Sequence, residues 1–475
     1  MTTPLPAGFR LMLDPSVKTL ADGLLFGGSP ARVLRLTKAG RAAWERLADH
    51  PVATPAEGTL ARLLTDAGFA HPVPPAPAEP ADATVVIPVL DRAELLDRCL
   101  GGLDSLGGRY PVLVVDDGSA DPAAIAAIAS AHGAKLVRRD VNGGPGAARN
   151  TALDHVSTSL IAFLDSDCVP SPDWIDRLAG HFADPLVAAV APRIRPLAPG
   201  TWAGRYSRAA SSLDMGTAPA RVAPGTRLSY VPTAALLVRR SAMASVAFDP
   251  EMRVGEDVDF GWRLHDAGFR LRYEPSAQVD HHEPAGWPAV LRRRASYGTS
   301  AAPLALRRPD AMAPLVLHPW PTLTAAALLA RRPLLASAGF AGAVLSMTRA
   351  LRRGDVPTNG VVPAMATAVG QTWLGFGRYG TQFAAPLLAA LLLPGGRRRW
   401  GRRAAIASLL AGPPLTAWAK NRPGLDPFRY TAGAIADDLA YGAGVWAGCL
   451  NHRTAVPLRP RITWRPLRVD RKGKQ

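Results

Sequence analysis

Carboxylates gather in this sequence where apolar runs end. "IAFLDSDCVPSPDW" (161–174) sets Asp165 and Asp167 one residue apart behind such a run, "VLVVDDGS" sets Asp116 and Asp117 behind another, and "VVIPVLDR" leads to Asp91. Side chains two apart on an extended strand share a side. Asp165 and Asp167 therefore suit a hard cation, Mg2+ or Mn2+, that holds phosphate oxygens. The plainer reading of one such pair is an Asx turn closing a surface loop. "NGGPGAARN" (142–150) adds a glycine-rich turn before a helix start, with Arg149 about one turn in. A helix N-terminus and a guanidinium both suit a phosphate or a polar base edge, although an ordinary turn reads the same way. "VGEDVDFGWRL" puts Glu256, Asp257 and Asp259 in the first turn of an amphipathic helix. Acids there complement the macrodipole, or one of them is held as a general base. "VDHHEP" offers His281 or His282 as an imidazole ligand or a surface imidazole, and the sequence does not choose between them.

The elements that must position these groups are legible as an alternation. From residue 83, short β-branched runs ("TVVIPVL", "YPVLVVDD", "AKLVRRD", "SLIAFLDSD") alternate with helical stretches ("AELLDRCLGGLDSL", "PAAIAAIASAHG", "GPGAARNTALDHV"). Continuous apolar strands with intervening helices predict a parallel sheet covered on both faces. Ligands of such sheets lie outside the carboxyl ends of the strands, where all five strand-end aspartates fall. Trp174 is expected to start a helix that walls the pocket at these strand ends. Cys168 is expected to pack beneath the site, because a hard cation prefers oxygen.

The flanks differ from this core. Residues 1–70 combine a strand-like entry ("GFRLMLD"), a Gly-Gly-Ser-Pro turn and two amphipathic helical pieces, a small α/β or winged-helix-like unit. Residues 71–83 carry five prolines and predict a stiff linker. Beyond residue 300, uncharged runs at 314–330, 333–348, 361–377 and 379–396 are borderline for a spanning helix, which needs about 20 apolar residues. They fit a tight spanning pair, a re-entrant hairpin or interfacial helices, with "GGRRRWGRR" at the headgroups. Of the formal charge of +17, residues 397–475 contribute 16 Lys/Arg against four Asp/Glu. This basic end follows apolar runs, which favours membrane lipids over nucleic acid. Three scattered cysteines without a CxxC pair fit a reducing compartment with neither disulfides nor a zinc cluster. "MTTPLPAGFR" has no secretory-signal pattern. The resulting expectation is a cell-membrane protein with its catalytic domain facing the cytoplasm.

Taken in order, "VVIPVLDRAELLDRCLGGL", "VLVVDDGSAD", "NGGPGAARNTAL", "IAFLDSDCVPSPDWIDRL", "GEDVDFGWRLHDAGFRLRYEPSAQVDHH" and "RASYG" resemble the successive signatures of family 2 glycosyltransferases with the GT-A fold. The resemblance covers residues 83–300. It implies a Rossmann-like GT-A catalytic domain over 84–300, between the small N-terminal unit and a helical, membrane-associating region over 301–475. It implies that Asp117, with Asp116 beside it and Asp91 in the first-strand loop, contacts the base of a nucleotide-sugar, and that Arg149 is the basic residue of the glycine-rich helix start. It further implies that Asp165 and Asp167 form the D-x-D motif on the metal and diphosphate, that Asp257 is the base, and that His281 reaches the same metal. With one base and no second nucleophile, the implied chemistry is a single displacement with inversion. A Q-x-x-R-W signature of processive synthases is absent from "AVLRRRASYG". The N-terminal stretch is similar to the PqqD-like peptide-recognition modules of glycosyltransferases that modify peptide-derived redox cofactors. That similarity implies a peptide-derived acceptor, UDP-glucose as donor and β-1,4-linked glucose as product.

Two rival readings remain at this level. "FLDSDCV" also resembles the strand end of haloacid-dehalogenase-type phosphatases, but these need a later lysine, and Lys135 lies upstream as the only lysine of the catalytic region. A membrane-anchored binding protein with a vestigial transferase domain is the other, and the intact Asp165, Asp167 and Asp257 oppose it.

Overall fold

The computed structural model describes residues 3–21, 23–76, 79–104, 107–392, 400–464 and 469–470. Near the N-terminus, strands Lys18–Ala21, Leu24–Gly27 and Arg32–Arg35 form an antiparallel meander. Helices Lys38–Asp49 and Pro55–Asp66 follow, the first capped by Thr37 and the second by a Thr54–Glu57 capping box. Leu25, Leu34, Leu47, Leu64 and Phe69 close a separate core. The proline-rich segment does not begin as a linker. Ala70–Val73 pairs antiparallel with Arg10–Leu13, and buried His71 bonds Asp14 at 2.8 Å. The alternation of "AHPVP" is masked by its prolines, yet Pro72 sits where a sheet edge asks for no N–H.

The central sheet runs Cys168–Pro170, Arg270–His282, Val187–Leu197, Ala235–Arg239, Leu160–Leu164, Ala83–Val89, Val112–Asp116, Lys135–Arg138, with Ala220–Val222 also paired to Arg270–His282. Its last four strands are parallel, as the strand-helix alternation requires. The other half departs from an all-parallel sheet. Ala235–Arg239 runs antiparallel to both neighbours, and only Val187–Leu197 with Arg270–His282 is parallel there. Apolar runs record burial on two faces but not direction, so the sequence could not separate these cases. Helices cover both faces, over cores centred on Val85, Ile87 and Trp174 on one side and Val86, Phe163 and Phe260 on the other. Trp174 begins helix Trp174–Ala179 but is fully buried in the first of these cores, so it does not wall the pocket.

The C-terminal third is helical: Pro319–Leu329, Pro333–Arg352, Val361–Phe383, Ala385–Leu392, Trp400–Asn421 and Pro427–Asn451. The last of these crosses helix Trp287–Thr299 so closely that a Cβ on Gly444 would stand 1.9 Å from the Ala295 carbonyl oxygen. Helix Pro333–Arg352 lays Ala343 and Leu351 against Leu24 and Val33 of the N-terminal module. Among the described residues it is the one helix long and apolar enough to cross a membrane, and 22% of its most apolar window is buried. Gly395–Arg399 of the arginine-rich turn lie outside the described residues.

Candidate active site

A cavity of about 980 Å3 opens at the carboxyl ends of the parallel strands, roofed by helices Glu256–Asp266, Trp287–Thr299 and Pro427–Asn451. Strand order reverses at Ala83–Val89, whose neighbours are Leu160–Leu164 and Val112–Asp116. The crevice is therefore where an open α/β sheet binds its ligand.

The five strand-end aspartates divide the work. Asp117 lines the cavity, and its carboxylate accepts from the Gly143 and Gly144 N–H groups (3.0 and 2.7 Å) and from Arg139 Nε (2.7 Å). The Gly118 turn brings this loop onto Asn142: Gly118 has φ +85°, and a Cβ there would meet the Asn142 nitrogen at 2.9 Å. Asp116 is wholly buried beneath, accepting from Ser119 N at 2.9 Å and paired with Arg138, so it shapes the floor and does not line it. Asp91, exposed and at φ 52°, accepts from the Ala120 N–H at 2.7 Å while its own N–H donates to Ser119 Oγ. It latches two loops together and lies outside the cavity lining.

Arg149 has two partners that the sequence did not reveal. Its side chain is 2% exposed and is held between Asp165 Oδ1 (2.7 Å) and Glu256 Oε1 (3.0 Å). It ties the D-x-D turn to the start of helix Glu256–Asp266 and lines the same cavity. Burial lifts the Asp165 carboxyl above its ordinary value, with Arg149 opposing and Asp167 adding to the rise.

Asp167 and His281 face each other, Oδ1 to Nε2 at 3.5 Å. Sheet register produces the meeting, because Cys168 lies directly opposite His281 across the strand pair. Buried Asp167 Oδ1 has no hydrogen-bond partner, and Arg92 holds the other oxygen. Behind the imidazole, His281 Nδ1 stands 3.5 Å from Glu283 Oε1, and Glu283 is paired with Arg293. Burial acts to lower the His281 pKa, but Glu283 and Asp167 outweigh it and raise it. His282 donates its backbone N–H to the Asp167 carbonyl, and it is the His281 ring that faces the Asp167 carboxylate. Cys168 is fully buried, and burial among these carboxylates pushes its thiol well up, away from reactive thiolate.

The donor set fits a small hard cation. A partnerless carboxylate oxygen facing an imidazole nitrogen would supply two ligands, and no group of three or more His, Cys, Asp or Glu suited to a metal occurs among the described residues. Mg2+ is commonly held by one or two carboxylates, with water and substrate phosphate completing the shell.

Asp257 lines the same cavity, half-buried, with its Oδ1 accepting from the Val258 N–H at 2.8 Å. Burial, then the adjacent Glu256, raises its pKa to about 7, where a general base works well. Sequence reading missed Arg92, Glu283 and Arg293, and the tyrosines Tyr230, Tyr297 and Tyr441 that line the same cavity. Glu283 was findable, because it lies two residues beyond His281 in an extended segment and so shares its side. Tyr441 comes from the C-terminal helix, and only tertiary packing delivers it.

Residues 84–245 match the model of "Glycosyl transferase family 2". The chain is 40% identical over 478 aligned residues to the pre-mycofactocin glycosyltransferase of Mycobacterium tuberculosis, covering 97% of this chain and 99% of that one. It is 31% identical to the glycosyltransferase AglE of Haloferax volcanii over 40% of this chain and 63% of that one. Among solved structures, the mannosyltransferase PcManGT from Pyrobaculum calidifontis, in complex with GDP-Man and Mn2+, aligns at 21% identity and a TM-score of 0.40, over 72% of this chain and 89% of that one. With near-complete coverage at this identity, the chain belongs to glycosyl transferase family 2 and, within it, to the pre-mycofactocin glycosyltransferases.

Proposed function

We propose that this glycosyltransferase of mycofactocin biosynthesis moves glucose from UDP-glucose onto the peptide-derived cofactor precursor with inversion, giving β-1,4-linked glucose. The observation that carries the reading is the meeting in one cavity of Asp167 Oδ1, which lacks a hydrogen-bond partner, the His281 ring facing it, and Asp257, whose pKa is raised to about 7. Asp257 takes the proton of the acceptor hydroxyl as that oxygen attacks the anomeric carbon. No second carboxylate is needed as nucleophile, so an α-linked donor yields a β-glycoside. Asp167 and His281 would hold a Mg2+ or Mn2+ ion, which when bound neutralises charge developing on the diphosphate leaving group. The Asp117 turn and the glycine-rich loop frame the nucleotide end, and Arg149 fixes the spacing between Asp165 and the helix bearing Asp257. The N-terminal module is assigned to peptide recognition. The apolar and basic C-terminal region is assigned to the inner face of the cell membrane.

The test is the anomeric outcome. Incubation with UDP-glucose, Mn2+ and the precursor, followed by NMR of the product, is expected to give a β-configured sugar. An α-configured product would overturn the single-displacement reading.

A further inference from the structure

Four guanidinium groups meet where the N-terminal module sits on the catalytic sheet, and among the described residues two carboxylates, Asp66 and Asp184, face them. Arg62 grips Asp184 through two bonds of 2.6 and 2.7 Å, and Arg270 holds the Asp66 carboxylate at 2.8 Å. Both carboxylates are thereby engaged. Arg221 and Arg272 remain, and they are direct partners across the antiparallel pair Ala220–Val222 and Arg270–His282. Like charges opposite each other in a sheet repel. Arg221 bonds the Asp66 carbonyl through one nitrogen, and its Nε has no partner. Arg272 is 2% exposed, and none of its three guanidinium nitrogens has a hydrogen-bond partner.

A buried charge normally finds a counter-charge, and buried donors normally find acceptors. Burial lowers Arg272 to about 10, which still leaves it charged at neutral pH. Asp66 and Asp184 lie near enough to act on Arg272, but each is bonded to another arginine, and the other described groups nearby add no free negative charge. His71 is held by Asp14 and is kept below its usual pKa, first by burial. Glu274, next on that side of the strand, accepts from Ser276 N at 3.1 Å and stands 3.4 Å from His181. Arg32 adds further positive charge near Arg221.

We propose that a small inorganic anion of the halide class lies between Arg272 and Arg221 and fastens the N-terminal module to the catalytic sheet. Its size follows from the site, which is buried beside Arg62 and Asp66 of helix Pro55–Asp66 and set within the spacing of one strand pair. The anion accepts from the guanidinium nitrogens that lack partners and offsets the repulsion across the pair. It takes no part in transfer, so the reading of the active site stands or falls separately.

The full-length protein is unfolded by heat in sodium chloride and in sodium gluconate at matched ionic strength. Chloride is expected to raise the wild-type Tm by at least about 2 °C relative to gluconate. Arg272→Met is expected to lose that response, with a Tm in gluconate no lower than wild type, because the uncompensated charge is gone. Equal wild-type Tm values in the two salts, or an unchanged chloride response in Arg272→Met, would overturn the proposal. Should the variant fail to fold, anomalous diffraction from wild-type crystals grown in bromide decides. A bromide peak beside Arg272 supports the proposal, and ordered water alone at that position overturns it.

Discussion

As the proposed base, Asp257 acts only when ionised, and its raised pKa sets where that happens. Below about pH 7 the carboxyl is protonated, so kcat/KM is expected to fall tenfold per pH unit on the acid side and to level off above it. An ordinary aspartate would put that limb near pH 4. A pH–rate profile in a non-coordinating buffer checks this, and a flat profile down to pH 5 would refute it. Arg149 gives a different phenotype. Its loss would strand Asp165 and Glu256 as unpaired carboxylates, so Arg149→Met is expected to destabilise the fold by about 3–5 kcal/mol, read from urea unfolding. Were Arg149 a free phosphate ligand, the variant would raise the donor KM and leave stability near wild type. For the metal pair, His281→Ala is expected to weaken Mn2+ binding at least about tenfold in calorimetry, whereas His282→Ala leaves it intact. Equal losses in the two variants would contradict the assignment. These contrasts show what was legible in single residues. Asp165, Asp167, Asp257 and the His281–His282 pair stood out by type and spacing, and the structure brings them to one cavity. The roles of Arg149 and Asp91 did not stand out, because each depends on a partner distant in sequence: Glu256 lies 107 positions from Arg149, and Ala120 lies 29 from Asp91.

At the scale of elements, hydrophobic patterning located the strands and helices of the nucleotide half and failed on direction in the other half. The register between Cys168–Pro170 and Arg270–His282 decides which histidine meets Asp167, and no local signal encodes it. Helix Pro427–Asn451 is the clearest case of an element whose purpose was hidden. Its apolar glycine-rich sequence suits a membrane, yet Gly444 and Gly448 press it onto helix Trp287–Thr299 and bring Tyr441 to the cavity. Arg294 pairs with Asp437 at 2.7 Å across the same contact. Gly444→Ala forces the two helices apart and is expected to cost about 1–3 kcal/mol while raising the acceptor KM more than the donor KM. Steady-state kinetics with each substrate varied in turn, alongside thermal unfolding, tests this. An unchanged acceptor KM would remove the helix from the site.

For the whole molecule, three regions are tied into one body. Arg62–Asp184 and Arg270–Asp66 join the N-terminal module to the sheet, and helix Pro333–Arg352 packs on the same module. The outer surface of the C-terminal third still exposes Leu334, Trp400, Phe428 and Leu450, each more than 70% accessible. Together with the basic C-terminal end, this supports attachment to anionic bilayers. Cosedimentation with vesicles containing anionic lipid is expected, weaker at high salt and reduced with neutral vesicles. Failure to sediment with either would refute membrane attachment while leaving the catalytic reading untouched. The central claim is the transfer itself. It is tested most directly by incubating wild type and Asp257→Asn with UDP-glucose, Mn2+ and the precursor, and weighing the products by mass spectrometry. The account predicts hexose increments on the precursor with wild type and a loss of about 10²–10⁴ in rate with Asp257→Asn, donor binding being retained. Product from the variant at the wild-type rate, or no hexose transferred by wild type from any nucleotide-sugar, would contradict it.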